Sequence, residues 1–266
     1  MFLLKKLLFK FMELGLGLRT CFSLDTKNPI FINFKLTEDE LVQVKKQLPA
    51  GFKIQPIRFT ENELEPSYWI SYNFYELKYP KPELSAVKKA RLEINTFVLD
   101  ALGRPGVFVF CDSPFVSKET KLSFIGFICD FAEWLVTKIY GVGQMIPLQF
   151  SLDEKVRVNF KTSKHQMEVE LPIPELEPGG GEKLSVDYWR FNDISFFNQG
   201  KTCDYVNVNS SFFMAEFIAI SASQVSQNCV SPIFNRKPDR VLVHRGEISY
   251  LVNSMNLCSV VGEANG

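Results

Sequence analysis

The sequence predicts a mainly β protein of the α+β class, with antiparallel strands gathered around one long buried helix into a closed or nearly closed structure. Three observations predict it. Segments rich in β-forming residues recur along most of the chain. One long segment, residues 118–140, is apolar around much of a helix. Phe occurs 25 times and aromatics reach 14%, enough volume for a thick β-rich core or an apolar pocket.

The elements follow in order. In residues 1–24, Leu3, Leu7, Phe11, Leu14 and Leu18 share one helical face, while Lys5, Lys6 and Lys10 interrupt any continuous apolar run. Neither a transmembrane helix nor a standard secretory signal fits that pattern. Three readings stay open: a terminal helix docked on the domain, a helix lying on a membrane surface or a partner, and a cleaved organellar targeting peptide. A single domain is expected over 25–258, with a short tail at 259–266. Ile30 to Leu36 reads as a strand. Thr37 then suits a helix N-cap and Glu40 its capping-box position, with Leu41, Val44 and Leu48 as the apolar stripe and Pro49-Ala50-Gly51 as the stop. Strands are expected at 52–59 and 68–77.

Strands at 90–99 and 106–111 form a hairpin, with Pro105-Gly106 as its tight-turn signal. Ser117 caps the long helix, and Gly141 and Gly143 end it. Beyond it strands are expected at 147–151, 155–162, 166–172, 184–190, 203–209, 212–221 and 240–252. Gly179-Gly180-Gly181 marks a flexible connection. It is not a phosphate cradle, because Lys183 is followed by Leu184 and a strand rather than by Ser or Thr and a helix.

Composition excludes several function classes. The chain has 266 residues, with 30 Lys+Arg against 30 Asp+Glu, so nothing marks it as a nucleic-acid binder. His165 and His244 are the only histidines, too few for a multi-His metal site or a ready His-based triad. His165 reads as a hairpin tip and His244 as structural. Cys21, Cys111, Cys129, Cys203, Cys229 and Cys258 include no C-x-x-C pair. Their apolar neighbours point to buried free thiols in a reducing compartment. Asn209-Ser210-Ser211 is a sequon that matters only in a secreted chain. The serine-hydrolase elbow, the Walker A loop, H-E-x-x-H, G-x-G-x-x-G and the kinase set are all absent.

Several stretches, taken in order, resemble the acetoacetate decarboxylase-like superfamily. They are Ile32-Asn33-Phe34-Lys35-Leu36-Thr37 leading to Leu48-Pro49, and Ala90-Arg91-Leu92-Glu93-Ile94-Asn95-Thr96-Phe97-Val98 followed by Gly103-Arg104-Pro105-Gly106-Val107. Lys138-Ile139-Tyr140-Gly141-Val142 and Glu247-Ile248-Ser249-Tyr250 complete the set. The resemblance spans about 25–255. It implies an antiparallel β-barrel or cone with an interior pocket, one long buried helix and short peripheral helices.

It also implies where the chemistry departs. The decarboxylase uses a pocket lysine as a Schiff-base nucleophile, lowered in pKa by a neighbouring lysine and by burial. Here Gln144-Met145 stand at those positions, and neither side chain can form an imine. Glu93 matches a family pocket glutamate. Alternation puts Arg91, Glu93 and Asn95 on one face and Leu92, Ile94 and Thr96 on the other. That face is either a polar interior, with Glu93 as general acid/base raised in pKa by burial, or solvent, with Glu93 and Arg91 as a surface pair.

The family's second glutamate aligns with Asn73, and Glu76 has the opposite parity. The family's arginine aligns most nearly with Lys27, which either neutralises a carboxylate or is an exposed lysine before a turn. Gln144 could bond a ligand or be a loop residue. Tyr140 reads as helix-end packing. Trp189-Arg190 could stack and pair with an acid, unless Asp187 or Asp193 holds Arg190 at the surface.

The expectation is therefore an intracellular enzyme acting on a carbonyl or oxo-acid type small molecule by imine-free acid/base chemistry: dehydration, hydration, enolisation or cyclisation. Glu93 would be catalytic, and Asn73, Gln144, Arg91, Asn95, Lys27 and Met145 would bind substrate. No cofactor, metal or nucleic acid is expected. The alternatives are a non-catalytic protein holding an apolar small molecule or lipid, and a protein brought to a membrane surface by its N-terminal helix. A homo-oligomer is compatible with each.

Overall fold

The structure is a computed structural model and describes residues 22–78, 89–116, 148–152, 155–161, 166–172, 181–197, 201–206, 215–221 and 236–256. In order these form β1 (Phe22–Lys35), α1 (Glu38–Gln47), β2 (Lys53–Ile54), β3 (Trp69–Lys78), β4 (Lys89–Leu99) and β5 (Pro105–Val116). Then come β6 (Leu148–Leu152), β7 (Lys155–Lys161), β8 (Gln166–Pro172), α2 (Val186–Phe191), β9 (Ile194–Phe197), β10 (Lys201–Val206), β11 (Ile218–Ser221), β12 (Arg240–Val243) and β13 (Glu247–Asn256). Of the expected N-terminal segment 1–24, residues 22–24 are the start of β1 and not helix; its first 21 residues, the long helix at 118–140 and the tail at 259–266 lie outside the described residues.

Ten strands join in one sheet along the path β11-β12-β1-β13-β10-β9-β5-β4-β2, with β3 beside that path and paired to both β1 and β4. β6, β7 and β8 form a separate antiparallel sheet. Among the described residues the protein is mainly β, a mixed sheet with few helices rather than a purely antiparallel barrel. Among the described strands the exception to antiparallel pairing is β5 with β9, which run parallel from Val107 opposite Ser195 to Val109 opposite Phe197. A parallel pair needs a long crossover, and the chain between Val116 and Ile194 supplies one.

Gly106 shows why the sequence hid this pairing. It is a strand residue opposite Val98, not a turn residue. A Cβ there would lie 2.5 Å from the Phe196 ring and 2.6 Å from the Ile194 carbonyl oxygen, so glycine permits the close approach of β9. The hairpin turn sits one step earlier, at Asp100–Arg104. The Asp100 carboxylate accepts from the Leu102 and Arg104 backbone N–H groups and from Arg104 Nε, and Gly103 takes φ +77.

Other elements also shift. β1 begins at Phe22 rather than Ile30 and carries a register shift between Lys27 and Ile30 around Pro29, which has no N–H for the ladder. The His244 N–H bonds the Pro29 carbonyl at 3.0 Å. Opposite that irregularity the expected strand 240–252 splits into β12 and β13. Of 52–59 only Lys53–Ile54 is strand. Ile57 then bridges Ser67, and Thr60 bridges Leu184. The expected strand 184–190 is helix α2. Ser185 caps it by accepting from the Tyr188 N–H, and Asp187 sits in its acidic first turn. α1 follows its sequence signals, with a complete Thr37–Glu40 capping box.

The sheet β1–β3–β4 has two buried faces. One packs Ile30, Ile32, Phe34, Ile70, Tyr72, Phe74, Leu92 and Ile94 beneath Val44, Leu41 and Leu48 of the α1 region. The other carries Phe31, Trp69 and Phe97 against Phe59, Tyr188, Phe191 and Phe217. Each buried ring on either face contributes on the order of 1.5–3 kcal/mol of transfer free energy. The second face also holds the polar residues.

Candidate functional site

Register places these polar residues in rows. Asn33 of β1 lies opposite Ser71 of β3, and Ser71 lies opposite Asn95 of β4. In the next row Phe31 lies opposite Asn73, and Asn73 opposite Glu93. A third row, Trp69 and Phe97 with Phe59 and Tyr188 packed on them, bounds the polar ones with aromatic rings. All five polar side chains are buried: Asn33 is 0% exposed, Ser71 1%, Asn95 2%, Asn73 6% and Glu93 7%.

Local bonds tie the rows together. Asn95 Nδ2 donates to Glu93 Oε1 at 2.5 Å and fixes the carboxylate's orientation. Ser71 Oγ lies 2.6 Å from Asn33 Oδ1 and 2.5 Å from Asn73 Oδ1. Two polar atoms here have no hydrogen-bond partner, Asn33 Nδ2 and Asn95 Oδ1. Buried polar groups are nearly always paired, so two orphans in one row are unusual. A register shift between Ile94 and Asn95 in the β4–β5 pairing lies beside Glu93, an irregularity of the kind that re-aims side chains at sites.

Arg240 of β12 extends the first row, opposite Asn33. Its Nη1 lies 2.6 Å from Thr60 Oγ1, 2.6 Å from Glu63 Oε1 and 3.2 Å from Glu182 Oε2. Only the last lacks hydrogen-bond geometry, leaving Glu182 Oε2 an ion-pair partner alone. Burial pushes the Glu63 carboxyl above its usual range. The Phe59 N–H and Arg240 oppose the rise without cancelling it, and the nearby Glu182 adds to it. The cluster fastens segment 57–63 across this end of the face, beside α2. There Arg58 Nε donates to Asp187 Oδ2 at 3.0 Å and the Ser185 hydroxyl donates to the Arg58 carbonyl.

The structure thus brings Glu93, Asn95 and Asn73 together on one buried face, and Glu93 is not a surface residue. Arg91 stands two positions before Glu93 on β4, opposite Tyr75 and Pro114. Lys27 stands within β1 opposite Glu76 and Glu247, not before a turn. The side chains of both are outside what the structure describes, as are Gln144, Met145, Tyr140 and His165. Asp187 holds Arg58 rather than serving Arg190 as its main partner. His244 Nδ1 meets the Glu216 carbonyl at 2.9 Å, with its ring 5.3 Å from Phe217, a packed position.

Sequence reasoning missed Asn33, Ser71, Arg240, Glu63 and Glu182. The signal for the first two was present. Phe31-Ile32-Asn33-Phe34 and Ile70-Ser71-Tyr72 place apolar residues at both parities or a polar one between bulky apolar side chains. Such strands are buried on both faces, and a polar residue within one is a buried polar residue.

Among the described residues no group of His, Cys, Asp and Glu could hold a metal ion, and no helix is long and apolar enough to cross a membrane. No family model matches the chain, and no curated protein matches it. Among solved structures it is similar to an acetoacetate decarboxylase-like enzyme from Sphingomonas wittichii RW1. The identity is 9%, covering 89% of this chain and 92% of that chain, with a TM-score of 0.44.

Proposed function

We propose that the chain is an acetoacetate decarboxylase-like enzyme that performs imine-free acid/base chemistry on a carbonyl-bearing small molecule. The site is a pocket over the Asn73–Glu93–Asn95 face. The observation that carries this is Glu93: a carboxylate 7% exposed, oriented by Asn95 at 2.5 Å, inside a buried face where aromatic rings flank the polar rows. A wrapped sheet around that face is supported by the pairings themselves. β1 pairs with β3, β3 with β4, β4 with β5, β5 with β9, β9 with β10, β10 with β13, and β13 with β1. The family reading is supported by where its described sequence stretches fall, on β1, β4, the β4–β5 turn and β13, the stretch Lys138–Val142 lying outside the described residues.

The proposed chemistry needs few parts. The Glu93 carboxylate takes the proton α to a carbonyl, and the resulting carboxylic acid returns it to carbon or to oxygen. An amide N–H from Asn73, with Gln144 as a second donor, stabilises the negative charge developing on the carbonyl oxygen. Enolisation, dehydration, hydration and cyclisation share that step. Desolvation of the site strengthens both interactions, because little water competes.

The test is NMR turnover and α-proton exchange in D2O with a panel of oxo- and hydroxy-compounds, parallel samples receiving borohydride. Turnover without a trapped adduct, reduced about 10²–10⁴-fold in Glu93→Gln, is expected. A borohydride-trapped lysine adduct would replace this reading with an imine mechanism. The aromatic lining also fits a ligand-holding protein. Saturable binding with neither turnover nor exchange would select that alternative.

A further inference from the structure

Apart from the bond by which Asn95 Nδ2 orients Glu93, the Asn33–Ser71–Asn95 row plays no part in the proton transfer just described. Asn95 is held by Glu93, which accepts from its amide nitrogen, so the orphan Oδ1 is an acceptor facing no donor. Asn33 is also short of a partner. The single Ser71 hydroxyl proton cannot serve both Asn33 Oδ1 and Asn73 Oδ1. If Ser71 donates to Asn33, the Asn33 Nδ2 is left over. If the Asn33 amide is turned to donate to Ser71, its oxygen is left over instead. Either way one Asn33 polar atom is unpaired, on a side chain 0% exposed. The two orphans stand two strand spacings apart, about 9–10 Å between backbones, with Ser71 between them.

We propose that this row is a hydroxyl-recognising subsite: the ligand of the Glu93 face carries an uncharged hydroxyl that donates to Asn95 Oδ1, and a second polar group that completes Asn33. The inference rests on the Glu93 face being a ligand site. A hydroxyl suits Asn95 because it donates, and suits Asn33 because it can donate or accept. A carboxylate suits Asn95 poorly, since it offers an acceptor to an acceptor. The flanking Phe31, Trp69 and Phe97 give the body between the polar ends an aromatic surface to lie against.

The probes are 4-hydroxyacetophenone and acetophenone, which differ by that hydroxyl, with binding followed by ligand-observed NMR on the full chain. Tighter binding of the hydroxylated probe, by about tenfold, is expected. That preference should disappear in Asn95→Leu, which removes the accepting Oδ1. Equal affinity for the two probes, or binding of neither at millimolar concentration, would overturn the proposal. A melting curve gives an independent check without any ligand. Asn33→Leu removes an unpaired buried amide, while Ser71 keeps Asn73 as its acceptor, so the melting temperature should rise. A fall would mean that Asn33 is satisfied within the fold, by water or by protein, and would also overturn the subsite. Proton transfer can fail while the hydroxyl preference survives, and the reverse, because one is read by turnover in Glu93→Gln and the other by binding.

Discussion

The two faces of the β1–β3–β4 sheet are built from alternate residues of the same three strands, yet they obey different rules. Beneath α1 the face is apolar from Ile30 to Ile94, its buried Thr96 is satisfied by donating to the Trp69 carbonyl, and Arg236 closes its edge. Its guanidinium pairs with both Glu40 oxygens at 3.0 Å and with Asp239 at 2.7 Å. The opposite face interrupts its aromatics with five buried polar side chains and leaves two of their atoms unpaired. A fold optimised only for stability would make both faces like the first. The second face holds polar groups that the fold itself does not need, which is the physical mark of a surface built for something else.

Truncation sharpens that contrast most. Phe34→Ala empties a fully buried position in the apolar face, where Phe34 meets Tyr72 edge-on at 5.6 Å, and should cost about 3–5 kcal/mol in denaturant melts. Ser71→Ala, on the other face of the same sheet, should cost less, about 1–3 kcal/mol, because it leaves a buried amide oxygen without its donor but opens no large cavity. A Ser71→Ala loss as large as that of Phe34→Ala would make the polar row part of the scaffold and erase the distinction.

The carboxylates bordering the two faces give a smaller and opposite pair of effects. Burial raises the Glu40 pKa, but the hydrogen bonds from Arg236 and Thr37 outweigh it, so the group lies below its ordinary 4.5. Its contribution to stability is present above 4.5 and is lost as the pH falls through the lowered folded value. Glu63 is the reverse. Burial dominates and holds it above 4.5, so the folded state binds its proton more readily than the unfolded chain does. That contribution is fully present below 4.5 and lost as the pH rises through the raised folded value. In melts across acid to neutral pH, Glu40→Gln should flatten the acid limb of the stability profile. Glu63→Gln should remove the decline above 4.5. Both variants moving the same limb would break the comparison.

The apolar face was the legible one. Thr37, Glu40 and the Leu41–Val44–Leu48 spacing specify α1 from contiguous local sequence, and the structure has that capping box. Glu93 was legible in part, since strand alternation assigns it to the face of Asn95. Whether that face is interior depends on what lies over it, and alternation does not carry that information. Asn33 and Arg240 meet only because β1 and β12, far apart in sequence, are neighbours. The β5–β9 pairing was invisible for the same reason, and Gly106 imitated a turn residue while serving a close approach. Helix α2 was missed through competition between local signals. Val186, Tyr188 and Trp189 favour strand, and the cap at Ser185 overrides them once Phe59 and Leu184 bring the segment into place.

The caps of the two helices provide the finest test, because both use one hydroxyl at an N-terminus. Thr37 accepts from the Glu40 N–H at 3.3 Å, while Glu40 returns a bond to the Thr37 N–H at 2.8 Å. Ser185 accepts from the Tyr188 N–H at 3.1 Å and also donates to the Arg58 carbonyl, on the segment that Glu63 and Arg240 fasten over the polar face. Thr37→Ala removes a cap alone and should cost about 1 kcal/mol. Ser185→Ala removes a cap and a tertiary bond at a position 3% exposed, leaving the Arg58 carbonyl without its donor, and should cost about 1–3 kcal/mol. The excess should shrink when Arg58→Ala is already present, because that change loosens the same segment by removing its Asp187 pair. Equal costs for the two caps, or strict additivity with Arg58→Ala, would mean that α2 holds its place through its rings alone and that the segment over the polar face is fastened only at Arg240.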